Sequence, residues 1–76
     1  MKKQLAIELL ESGLNLDLFF NISINHSTVR LIGDFNTEVL EQLLSLGFKR
    51  AYILYDDTRV DMIEYKKANI EIVLSI

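Results

Sequence analysis

The sequence predicts an α+β two-layer sandwich, a mixed sheet of four to five strands with two or three helices on one face. Three observations predict it. Leu14, Leu16, Leu18, Phe20, Ile22 and Ile24 alternate with mostly polar residues, the period of a strand with one buried face. Two segments carry leucines at three- and four-residue spacing and run into a glycine, the pattern of a short amphipathic helix. Residues 70–76 alternate again, Ile70, Ile72, Leu74 and Ile76 against Glu71, Val73 and Ser75.

The first helix is expected over residues 2–12, with Leu5, Ala6, Leu9 and Leu10 as its apolar stripe. Gly13 suits a left-handed stop, and Leu14 is placed to touch Leu9. Lysines come first and glutamates last, against the helix dipole, so this helix must rely on packing.

The alternating ribbon of 14–25 turns at His26-Ser27 and returns over 28–35. A turn centred there sets Ile24 opposite Val29, Ile22 opposite Leu31, Leu18 opposite Phe35, and Phe20 over the gap at Gly33. On that reading an acid at Ile22 is ruinous and one at Ser23 harmless. Phe19 and Ile32 then form an apolar patch on the polar face.

Asn36 reads as the N-cap of a second helix over 37–46, with Phe35 and Leu40 at the spacing of a hydrophobic staple. Leu40, Leu43 and Leu44 form its stripe, and Gly47 ends it, letting Phe48 fold back on Leu43. Residues 49–56 read as a strand apolar on both sides, hence central in the sheet.

Residues 58–68 carry two signals. Asp57 or Thr58 as a cap and Lys66-Lys67 in a last turn predict a third helix. Val60, Met62, Ile63 and Tyr65 form no helical stripe, and the rival is a strand hairpinned through Asp57-Thr58 that pairs Tyr55 with Val60 and Ile53 with Met62. The helix is preferred, giving the order αββαβαβ, with αββαβββ as the alternative.

From Val29 onward, a strand ending Leu31-Ile32-Gly33-Asp34, followed by helix, strand, helix and strand, resembles the anti-sigma-factor-antagonist (STAS-like) domains over about half of the chain. The Asp-x-Ser stretch of that family is replaced by Asp56-Asp57-Thr58, so the resemblance brings no activity with it.

Seventy-six residues with 50% hydrophobic content make one domain, 1–76, with a core of modest size. There is no cysteine, which removes disulfides, thiolate metal sites and a cysteine nucleophile. The net charge of −3 opposes nucleic-acid binding, and Lys49-Arg50, Lys66-Lys67 and Arg30 are interleaved with acids. The longest apolar run, 51–55, is too short for a membrane, and Glu8 and Glu11 interrupt any signal-peptide stretch, so a cytoplasmic location is expected.

His26, the single histidine, lacks partners for a catalytic dyad and reads as a turn residue. Asp56 and Asp57, with Asp61 nearby, are the one metal candidate, against the plainer reading of a turn in which Arg59 neutralises Asp56. No catalytic residue and no cofactor is expected.

What remains is a small intracellular, non-enzymatic protein-binding module of the inhibitor, antitoxin, immunity or phage anti-defence type. Its expected surface is the polar sheet face, with Phe19, Asn21, Ser23, Arg30 and Ile32 as binding residues. The alternatives are a homodimeric accessory subunit of a larger complex and a metal-assisted enzyme using Asp56 and Asp57.

Overall fold

The computed structural model of the chain describes residues 2–76. Its elements are α1 (Lys2–Glu11), a 3-10 turn (Leu16–Leu18), β1 (Phe19–Ile24), β2 (Val29–Asp34), α2 (Thr37–Ser45), β3 (Lys49–Asp56), β4 (Arg59–Lys67) and β5 (Ile70–Ser75). The order is αββαβββ. The strands form one five-stranded sheet in the order β1-β2-β5-β4-β3. Only β2 and β5 run parallel; the other three pairings are antiparallel.

The core lies between one sheet face and the two helices. Leu5 and Leu9 from α1 and Val39 and Leu43 from α2 close over Val29, Leu31, Ile70, Ile72, Leu74 and Tyr65. Leu10, given to the α1 stripe by its spacing, is exposed instead. The α2 termini follow the sequence closely. Asn36 Oδ1 accepts from Val39 N at 3.0 Å, and Phe48 N donates to Leu43 O and Gly47 N to Leu44 O, a complete Schellman closure. The end of α1 differs: Gly13 has the left-handed φ of 87°, yet Leu14 N donates to the Ser12 hydroxyl rather than to a helix carbonyl.

The β1–β2 hairpin keeps the expected partners near its turn, Ile24 with Val29 and Ile22 with Leu31. Further along, one extra residue enters β1. Phe19 opposes Gly33 and Asn21 opposes Ile32, leaving Phe20 unpaired between them. The bulge exchanges the two phenylalanines. Phe19 takes the core position over Gly33, 8% exposed, and Phe20 is 67% exposed. Leu18 belongs to the lead-in and pairs with nothing in the sheet. Ile22 keeps its expected face but lies on an edge strand and stays 41% exposed, so it is not the keystone its alternation implies.

The expected helix over 58–68 is a strand. β4 hairpins to β3 through Asp57-Thr58 and to β5 through Ala68-Asn69. The pairing places Tyr65 beside Ile72 and Ile63 beside Leu74, which turns these two to the core side and leaves Met62, beside Ser75, on the opposite face. Tyr55 does oppose Val60, while a bulge at Asp61 moves Ile53 opposite Ile63 rather than Met62. Ala68 adopts φ 52°, a left-handed step that side chains with a Cβ rarely take, and it carries the turn into β5. Glu64 lies opposite Val73 and Glu71 opposite Lys66, so no two acids face each other across this pair.

β3 is an edge strand, not a central one. None of its residues belongs to the core cluster or packs against it as a partly buried neighbour. With β4 it carries the sheet past the helix layer, in a molecule measuring 40 × 24 × 20 Å.

Candidate functional site

Strand register defines the sheet face that the helices leave bare. One row across it reads Asn21, Ile32, Val73, Glu64, Tyr52. The row on one side reads Ser23, Arg30, Glu71, Lys66, Lys49, and on the other side Asp34, Ser75, Met62, Leu54. Val73 is buried within this face by its flanking strands, apart from the main core. Ile32, Leu54 and Met62 are half-buried, and Tyr52 is 54% exposed. Along their row Arg30, Glu71 and Lys66 alternate in sign, and Lys49 then sets a second lysine beside Lys66 at the β3 end.

Four of the five expected binding residues, Asn21, Ser23, Arg30 and Ile32, therefore share this face. The fifth does not. Phe19 is turned into the core by the bulge. The aromatic contribution comes from Tyr52 on the far strand, which sequence reasoning missed because it took β3 for a central strand.

The second feature is the outer edge of β3 itself. Its eight residues read Lys-Arg-Ala-Tyr-Ile-Leu-Tyr-Asp. One side of the strand is hydrogen-bonded to β4 and the other faces no strand. Native proteins usually blunt such an edge with proline, charge or a very short strand. Here the middle five residues are apolar or aromatic, and charge appears only at the ends. Tyr52 and Tyr55 are both more than half exposed.

The aspartate candidates are not assembled. Asp56 ends β3 opposite Arg59, Asp57 holds the turn with φ 60°, and Asp61 is the extra residue of β4. Among the described residues no three His, Cys, Asp or Glu side chains are grouped to hold a metal ion. His26 lies in the β1–β2 turn, which Asn25 N closes on Thr28 O at 2.8 Å. An open cavity of about 300 Å³ beside α1 is lined by Glu8, Glu11, Ser12, Phe48, Lys67 and Ile70. Its lysine is already engaged: Lys67 Nζ donates to Leu46 O and stands 5.9 Å from the centre of the Phe48 ring.

None of the described helices is long and apolar enough to cross a membrane. No family model matches this chain, and no curated protein or solved structure shows significant similarity to it. The strand at β4 also removes the third helix on which the STAS-like order of elements depended.

Proposed function

We propose that this chain is a small, non-enzymatic protein-binding module acting inside the cell, in the manner of an inhibitor, an antitoxin, an immunity protein or a phage anti-defence protein. One observation carries the reading: a five-stranded sheet face without helices, on which Ile32 and Tyr52 stand among polar residues and charges of both signs. Ile32, Val73, Met62, Leu54 and Tyr52, with Asn21, Ser23 and Ser75 beside them, suit a partner that supplies apolar contact at the centre and hydrogen bonds at the rim.

The test is capture of a partner from host lysate by the full chain and by Ile32→Asp and Tyr52→Asp variants whose melting is checked first. Loss of the captured protein with the fold retained supports the reading. Equal capture by all three removes this face as the binding surface.

A second reading, a homodimeric subunit, is favoured by the open edge of β3. The metal-assisted reading of Asp56 and Asp57 has no comparable support, since Asp61 does not join them in a ligand group.

A further inference from the structure

We propose that β3 pairs antiparallel with β3 of a second copy of this chain, joining two five-stranded sheets into one of ten strands. The proposal rests on the homodimer reading and gives it a strand, a register and a set of contacts.

Both sheet edges are candidates, and they are unlike. β1 has six residues, and its bulge at Phe20 leaves four in unbroken alternation, Asn21 to Ile24; β3 also has an extra residue, Ala51, but five alternate without a break beyond it, Tyr52 to Asp56. β3 has eight residues, about 27 Å of strand at ~3.4 Å per residue, with no proline. Its apolar centre, 51–55, lies outside the core and its two tyrosines meet solvent.

The sequence of β3 says which occupant fits. Its first two residues are Lys49 and Arg50, and its last is Asp56, followed by Asp57. A parallel copy brings Lys49 against Lys49 and Asp56 against Asp56. An antiparallel copy brings the basic end of each strand against the acidic end of the other, so the strand is complementary to itself in one direction only.

Side-chain direction then fixes the register. Arg50, Ile53 and Tyr55 share the helix side, being opposite Tyr65, Ile63 and Val60 in β4. Lys49, Tyr52, Leu54 and Asp56 share the bare face, with Ala51 as the extra residue between the two sets. A two-fold axis normal to the sheet must keep each residue on its own face. Centred on Ile53, it sets Ile53 against Ile53, Tyr52 against Leu54 and, past the bulge, Arg50 against Tyr55 and Lys49 against Asp56. The two central contacts join apolar or aromatic side chains, Lys49 meets Asp56 as an opposite charge, and Arg50 can lie over the ring of Tyr55. The bare faces of the two copies become one continuous surface, with Tyr52 and Leu54 at its middle.

One edge-to-edge seam is a small interface, so dimerisation is concentration-dependent. Sedimentation equilibrium from roughly 1 µM to roughly 1 mM spans the range in which such a contact registers. The expected result is a shift from the 8.8 kDa chain to twice that mass. Lys49→Glu and Asp56→Lys, both at exposed positions, each set like charges together at both ends of the seam and raise Kd roughly tenfold. Mixing the two variants pairs every acid with a base and restores the wild-type Kd, which neither a local folding defect nor a general loss of charge can imitate. A wild type that stays monomeric throughout overturns both the homodimer reading and this interface. A dimer indifferent to the two variants, or not rescued by mixing, keeps the homodimer and rejects β3 as its seam.

Discussion

Phe19 lies against Gly33 so closely that a Cβ at position 33 would fall 3.0 Å from the ring Cδ1 and 3.0 Å from the carbonyl oxygen of Leu18. The glycine is the socket for the ring, and the bulge at Phe20 is what aims the ring into it. Gly33→Ala therefore forces the ring and the backbone apart. It is expected to cost about 1–3 kcal/mol in urea unfolding, as overpacking of a close-packed site does.

The two adjacent phenylalanines should separate sharply. Phe19→Ala empties a core position and is expected to cost about 3–5 kcal/mol, a large share of the total stability of a chain this size. Phe20→Ala removes a ring that is mostly in water and should cost under about 1 kcal/mol. Equal midpoint shifts for the two variants would place the bulge elsewhere.

Ala68 holds a left-handed φ of 52° at the first position of the β4–β5 turn, where glycine is at ease and a Cβ is not. Ala68→Gly should raise stability by about 0.5–1 kcal/mol despite adding freedom to the unfolded chain. Thermal melting shows the sign directly.

Asn36→Ala removes the acceptor for Val39 N and is expected to destabilise α2 by about 1 kcal/mol. Asn36→Asp keeps the acceptor and should behave as wild type in the same denaturation curve.

Deleting residues 73–76 takes Val73 and Leu74 out of the strand that both β2 and β4 pair with. Cooperative unfolding should vanish from the calorimetric trace. A sharp transition near the parent temperature would mean that the sheet can close without its middle.

How far the sequence could be read depended on what each residue had to choose between. The bounds of α2 were legible because the Asn36 cap and the Gly47 stop are local signals, whereas its stripe was read one residue off: Val39 and Leu43 are buried and Leu44 is exposed. The hairpin was legible from Ile22 to Val29, where apolar residues face apolar residues. It failed at Phe19 and Phe20, because two identical side chains in a row conceal a one-residue slip: either can fill the socket at Gly33. In 58–68, good cap chemistry competed with a poor helical stripe. The stripe was the better guide, since burying Tyr65 and packing the partly buried Ile63 against the core outweighs an end effect and drives Ala68 into a disfavoured turn. For the surface, Asn21, Ser23, Arg30 and Ile32 follow from alternation alone. The exposure of Tyr52 and Tyr55 does not, because a strand apolar on both sides reads the same at the centre of a sheet as at an edge whose far side awaits a neighbour.

The parallel seam between β2 and β5 sets how this chain can find its fold. Among the described residues every other strand pairing joins neighbours in sequence, so β1–β2 and β3–β4–β5 are each able to form as local meanders. Val29 must then meet Ile70 across the whole of α2, β3 and β4. That meeting closes the longest loop between any two paired strands and buries Leu31 against Ile72, so it gathers much of the entropic barrier to forming the sheet into one event. Until it occurs, two half-sheets drift with their stickiest borders bare, and a foreign half-sheet from another copy can dock as readily as the chain's own.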